Sequence, residues 1–129
     1  MIEMLRLKKE TDRKVRWDAE VDEVKFELYI PKWRVPEPWP SRIYVKIEPE
    51  GPPKRSERHH TKVDFESSSS LRTSSIVSYV ERFEKHTETL RYRPLGDDDE
   101  WEIGEPYIPY SLTCDCADYL KLTVEWDLK

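Results

Sequence analysis

The chain has 129 residues, a length typical of one domain, and a formal net charge of −5. It contains three glycines, two alanines and ten prolines, a composition that argues against helical bundles and glycine-rich phosphate loops. Asparagine and glutamine are absent, so any recognition has to depend on aromatic groups, charges and the backbone.

Alternation of apolar and polar residues, the pattern typical of strands that bury one face, dominates the sequence. In chain order, the clear cases are 14–21, 24–30, 42–48 and 120–128. Weaker strand candidates lie at 2–8, 61–66, 88–93 and 100–108. Pro106 and Pro109 restrict the last of these to an edge strand or an irregular strand.

The segment 75–86 fits two structures. Its apolar residues, from Ile76 to Phe83, can share one face of a helix, yet the β-branched residues among them favour a strand. Short strands at this spacing predict an all-β domain that covers residues 1–129. We expect an antiparallel β-sandwich or a small open barrel of about seven or eight strands, with one short helix at 75–90 as the alternative.

The loop at residues 31–41 contains four prolines and two tryptophans. Because prolines pre-order a loop, presenting its side chains to a partner costs little entropy. Tryptophan and arginine are also common energetic anchors at interfaces. The sequence therefore predicts partner-binding residues at Trp33, Arg34, Trp39 and Tyr44. The alternative is that both tryptophans fold back and close an open end of the fold, since large aromatic residues are usually buried.

A second partner-binding segment is predicted at Tyr107–Tyr110. Its prolines interrupt an edge strand, whose remaining free backbone groups can dock a partner. We expect Tyr107 and Tyr110 to contact that partner, which is another protein or a second copy of this chain.

Two basic clusters, at 5–16 and 54–62, favour nucleic acid as a different class of partner. Their candidate contact residues are Arg6, Lys8, Lys9, Arg13, Lys14, Arg16, Lys54, Arg55 and Arg58. Cationic side chains neutralise phosphates, and nearby aromatic residues would supply stacking surfaces for unpaired bases. An ordinary solvated surface is the alternative explanation, and the acidic total favours it.

One residue separates Cys114 from Cys116, so in a strand both sulfurs would point to the same face. These thiolates would form a four-ligand metal set with His59 and His60 if the fold brings the four together. The alternative is that both cysteines pack into the core as small apolar side chains. The absence of a known zinc spacing favours core packing.

The sequence contains no nucleophile elbow, phosphate loop, dinucleotide-binding motif or zinc-protease motif, so we expect no enzymatic activity and no cofactor. It has no apolar stretch of about 18 residues and no signal peptide, which predicts a cytoplasmic protein without membrane contact. Missing amides beside abundant charge and proline predict a thermophilic, prokaryotic source. The predicted function is a non-enzymatic protein-binding or assembly module. The alternatives are a nucleic-acid accessory protein and a metal-binding protein or enzyme centred on the two cysteines.

Overall fold

The computed structural model describes residues 1–51 and 62–128, and for residues 7–10 and 69 the backbone alone. In this part of the chain, eight antiparallel strands form one sheet that closes into a barrel. The strands are β1 (Ile2–Glu10), β2 (Lys14–Val21), β3 (Val24–Pro31), β4 (Arg42–Pro49), β5 (Ile76–Lys85), β6 (Thr89–Pro94), β7 (Tyr107–Pro109) and β8 (Tyr119–Trp126). The predicted all-β fold of seven or eight strands is confirmed, with the sheet closed on itself.

The strand order around the barrel is β1, β2, β3, β7, β6, β5, β8, β4 and back to β1. Hairpins join β1 to β2, β2 to β3 and β5 to β6, because these neighbours in sequence also pair in space. In the β2–β3 hairpin, Asp22 and Glu23 both adopt positive φ angles, of 51° and 67°. Two left-handed residues in a row match the twist of the flanking strands, so this turn fixes the register of the hairpin.

Alternation along the strands fills the interior with apolar side chains. Leu120, Leu122 and Val124 of β8 are fully buried, as the sequence pattern predicts. The largest core residue, Trp17, lies opposite Leu28 in the β2–β3 ladder and donates its indole N–H to the Pro40 carbonyl oxygen over 3.1 Å. The interior is therefore a packed core, and candidate binding sites lie on the outside and at the ends.

The ambiguous segment at 75–90 is extended, since β5 covers Ile76–Lys85 and β6 begins at Thr89. The helices lie elsewhere, in α1 (Lys62–Ser67) and α2 (Ser69–Arg72). The predicted strand at 61–66 is therefore wrong. In a strand Val63 and Phe65 would share one face, but Phe65 is buried while Val63 is 69% exposed. Packing of the Phe65 ring decides the local structure here.

The strand predicted at 100–108 is also shorter than expected. A 3₁₀ turn occupies Asp98–Glu100, and regular pairing is confined to the three residues of β7. Pro106 precedes this pairing and Pro109 is its last residue, and a proline cannot donate to a β-ladder.

The core predicts a large loss of stability when Phe26, which is fully buried, is replaced by alanine. Phe26→Ala leaves a cavity, so the free energy of unfolding should fall by about 3–5 kcal/mol in guanidinium denaturation. Leu5→Ala is the control, because Leu5 is 50% exposed. It should change stability by about 0.5 kcal/mol or less, and an equal loss in both variants would contradict the assigned core.

Candidate binding surfaces

The proline–tryptophan loop at 31–41 closes one end of the barrel. It joins β3 to β4, and in the strand order β2 and β1 lie between these two strands. At its middle, Val35 has no exposed surface and belongs to the hydrophobic core. The middle of the loop therefore packs onto the barrel.

Arg34 anchors this loop from within, since its side chain is 0% exposed. Its guanidinium donates to Glu102 Oε2 over 2.7 Å and to the carbonyl oxygens of Arg72 and Ser74, each over 2.8 Å. The cation also lies 4.3 Å from the centre of the Phe65 ring. The expectation that Arg34 contacts a partner is therefore wrong, because its donors are used inside the protein.

This burial makes Arg34 a sensitive position for stability. Arg34→Met keeps much of the volume but deprives Glu102 and several carbonyl oxygens of this donor, so the free energy of unfolding should fall by about 3–5 kcal/mol in urea denaturation. Arg42→Met is the matched control, because the Arg42 side chain is 44% exposed and its ion pair with Glu3, at 3.3 Å, lies at the surface. The control should lose about 1 kcal/mol or less, and a comparable loss in the two variants would refute the anchoring role.

The remaining predicted contacts of the first segment are Trp33, Trp39 and Tyr44. The half-buried Trp33 packs against Phe65 at 6.0 Å between ring centres. Trp39, also half-buried, lies between Arg6 and Lys32, at 5.9 and 5.4 Å from the ring centre. Tyr44 lies on β4, which is four strands away from β7 in either direction around the barrel.

Tyr107 belongs to a surface that we call the aromatic–arginine patch, formed by Phe83, Arg91, Arg93 and Tyr107. Two exposed rings define it, with Phe83 47% and Tyr107 37% exposed. The Arg91 guanidinium lies 5.1 Å from the Phe83 ring centre and 5.6 Å from that of Tyr107. Arg93 lies 4.2 Å from the Phe83 ring centre. Three neighbouring strands, β5, β6 and β7, thus contribute to one outer surface.

A β-bulge lies at Phe83 in the β5–β6 ladder. Arg82 pairs with Tyr92 and Glu84 with Arg91, so the ladder has an irregularity at Phe83. Bulges commonly re-aim side chains next to functional sites. Strand parity already indicates that Phe83 is exposed. Ile76, Ser78 and Val80 face inward, so the same alternation puts position 83 on the outer face, although we did not predict it as a site residue.

Glutamates neutralise the arginines of the patch. Arg91 lies 3.2 Å from Glu84 and 2.8 Å from Glu105, and Arg93 lies 3.9 Å from Glu105. Tyr107 rests against His86 at 5.3 Å between ring centres.

The half-buried Tyr110 donates its hydroxyl to the His86 carbonyl oxygen. This hydrogen bond fixes the backbone of His86, whose ring packs on Tyr107 of the patch. The expectation of a free edge at Tyr107–Tyr110 is wrong, since β7 pairs with β3 on one side and with β6 on the other. A partner can therefore dock there only through side chains.

A separate cleft of about 560 Å³ opens beside the β1–β2 turn, and we call it the tryptophan–lysine cleft. Two indoles, four cations and three aspartates line it, among them Trp33, Trp101, Arg13, Lys14, Lys32 and Lys62. A second cleft of about 540 Å³ shares Asp12, Arg13 and Lys14 and continues to Tyr29 and Arg91.

The structure brings together only part of the predicted nucleic-acid residues. Arg13 and Lys14 of the first basic cluster meet Lys62 in the tryptophan–lysine cleft. Arg6 instead lies over Trp39, while Arg16 binds Asp18 and lies over the Tyr29 ring. The side chains of Lys8 and Lys9, together with Lys54, Arg55 and Arg58, fall outside the described residues.

The two cysteines do not lie in a strand. Cys114, Asp115 and Cys116 have positive φ angles of 53°, 62° and 59°, so three successive residues form a left-handed turn. The Thr113 hydroxyl accepts the Cys116 backbone N–H over 3.1 Å and steadies this turn. As a result Cys114 is exposed and Cys116 half-buried, contrary both to a shared strand face and to burial of both residues.

A metal site is not found in the described parts of the chain, where no three His, Cys, Asp or Glu residues are placed to hold an ion. His59 and His60 of the predicted ligand set lie outside these parts.

Tyr92 lies beneath the cysteine turn, fully buried, and donates its hydroxyl to the Ala117 carbonyl oxygen over 2.6 Å. Burial of the phenol, followed by the nearby Cys116 thiol, raises the pKa of Tyr92 to about 12.

This raised pKa predicts a pH dependence of stability. An unfolded tyrosine ionises near pH 10, whereas the folded protein keeps the Tyr92 proton until about pH 12. The associated stability is complete below pH 10 and is lost as pH rises toward 12. Absorbance titration at the phenolate band should show one late-ionising tyrosine that Tyr92→Phe lacks. The stability advantage of wild type over this variant should shrink over the same interval, and an unchanged titration curve would exclude the assignment.

No protein family, curated protein or solved structure in the comparisons matches this chain. Among the residues that the structure describes, no helix is long and apolar enough to cross a membrane.

Proposed function

We propose that the protein is a non-enzymatic assembly module that binds a second copy of itself through the aromatic–arginine patch. The observation that carries the proposal is the pair of exposed rings, Phe83 and Tyr107, bridged by the guanidinium of Arg91. Tyrosine and arginine are enriched among the residues that dominate binding energy at interfaces.

Pre-organisation of the patch lowers the cost of association. Arg91 and Arg93 pack on the Phe83 ring, and His86 supports Tyr107. Side chains that are already ordered lose little rotamer entropy when a partner covers them.

The charges around the rings favour a second copy as the partner. Arg91 and Arg93 lie beside Glu84 and Glu105, so both signs occur in equal number. A two-fold axis places one surface on its own copy, which lets an arginine of one protomer face a glutamate of the other. A strongly acidic or strongly basic partner would meet like charges on the same patch.

The size of the molecule sets the scale of such an interface. A stable interface takes about 800 Å² from each partner, which is about a tenth of the 8034 Å² surface of this chain. The patch would form the centre, and neighbouring polar residues of β5 and β6 would form the rim.

Sedimentation equilibrium over a range of protein concentrations tests the proposal. Wild type should approach twice the 15.6 kDa mass of one chain. Phe83→Ala/Tyr107→Ala should weaken the dimer by about 30-fold or more, because each residue is expected to be an anchor of the interface. Tyr44→Ala on β4 is the aromatic control and should leave the dimer intact. Wild type that stays monomeric at every concentration would overturn the proposal.

A charge exchange tests the two-fold arrangement itself. Arg93→Glu and Glu84→Arg each place like charges across the axis, so each variant alone should be monomeric. Mixed together, they restore both arginine–glutamate contacts, and a dimer should reappear. If the mixture stays monomeric while wild type dimerises, Arg93 does not face Glu84 across the interface.

A further inference from the structure

The tryptophan–lysine cleft has rigid aromatic walls. Trp101 donates its indole N–H to the Gly96 carbonyl oxygen over 3.2 Å, and Trp33 packs on Phe65. Each tryptophan also precedes one member of the buried Arg34–Glu102 ion pair, whose atoms are 2.7 Å apart. This ion pair therefore fixes the separation of the two segments that carry the indoles.

Cations from distant parts of the sequence converge between these walls. Arg13 and Lys14 come from the β1–β2 turn, and Lys62 begins α1. Among the described residues, neither Arg13 nor Lys14 forms an ion pair. A Cβ added at Gly104 would lie 3.3 Å from the Lys14 ammonium, so this ammonium lies beside Gly104, where the second cleft adjoins the tryptophan–lysine cleft.

Carboxylates moderate the positive field of the cleft without reversing it. Asp12, Asp98 and Asp99 also line the cleft, against the four cations Arg13, Lys14, Lys32 and Lys62. The lining itself carries one more positive than negative charge in a chain whose net charge is −5, and of these cations Lys62 also pairs with Glu66 at 3.9 Å. Such a site attracts phosphates at low salt and loses them steeply as salt rises.

We infer that this cleft binds single-stranded nucleic acid by stacking bases on Trp33 and Trp101 and neutralising phosphates with Arg13 and Lys14. Indole stacking requires unpaired bases, which excludes an intact duplex as the preferred ligand. The second cleft adjoins this one but ends at Arg91 and Tyr107 of the aromatic–arginine patch, so the inference is confined to the tryptophan–lysine cleft. Because asparagine and glutamine are absent, their bidentate contact to adenine cannot be made, and binding should tolerate many sequences.

Fluorescence anisotropy of a labelled oligothymidylate at low salt tests the inference. Wild type should bind, and Arg13→Glu/Lys14→Glu should bind about tenfold or more weakly. The slope of the logarithm of the binding constant against the logarithm of the salt concentration should become shallower by about 1.4, because the variant loses two phosphate contacts to a single strand. Trp101→Ala should weaken binding by about tenfold with little change in this slope, because stacking is not an ionic contact. Lys46→Glu on β4 is the charge control and should bind as wild type does.

Several outcomes would overturn the inference. These are no binding by wild type at low salt, equal binding by wild type and both cleft variants, or equally tight binding of a duplex. Equally strong competition by polyglutamate would show a general polyanion site instead. Phe83→Ala/Tyr107→Ala, the variant expected to weaken the dimer, separates the inference from the proposed dimer, since it changes no residue of the tryptophan–lysine cleft and should still bind the oligonucleotide. Failure of dimerisation and failure of binding are thus observed independently.

Discussion

The buried guanidinium of Arg34 is the constraint on which one end of the barrel depends, the end that the proline–tryptophan loop closes. A charge inside a protein is tolerated only when hydrogen bonds and an opposite charge replace water. Here the replacements come from Glu102 and from the neighbouring Phe65 and backbone at 72–75, all of them distant from Arg34 in sequence. One side chain therefore sets where the loop, the helices and the segment after Trp101 meet. The candidate binding cleft is a consequence of that meeting point.

Much of the fold could be predicted from local patterns. In β8, Leu120 and Leu122 alternate with charged and polar residues, and this period decides strand and face together. At 61–66 the pattern contained only Val63 and Phe65, too few apolar residues to define a period. In the helix that forms there, Phe65 contacts Trp33 and Arg34, and these contacts cannot be read from neighbouring residues.

The binding surfaces were less predictable because they depend on pairs of residues distant in sequence. The proline–tryptophan loop was recognisable, but nothing in it shows that backbone oxygens at 72–75 would enclose Arg34. The exposed position of Phe83 follows from strand parity, whereas the bulge beside it does not. That Arg13 and Lys62 line one cleft depends on where α1 packs beside the β1–β2 turn, which no local pattern specifies.

Closure of the barrel also has a mechanical consequence. Every strand is paired on both sides, so the sheet cannot fray from an edge and has to open at its weakest junction. That junction is β7, which has three residues and meets β3 through the single pair Glu27 and Tyr107. Opening between β3 and β7 would convert the barrel into an open sheet with β3 and β7 as its edges, and the free edge of β3 could then pair with foreign strands. A second protomer in contact with Tyr107 would hold β7 against β3 and so suppress this route to aggregation.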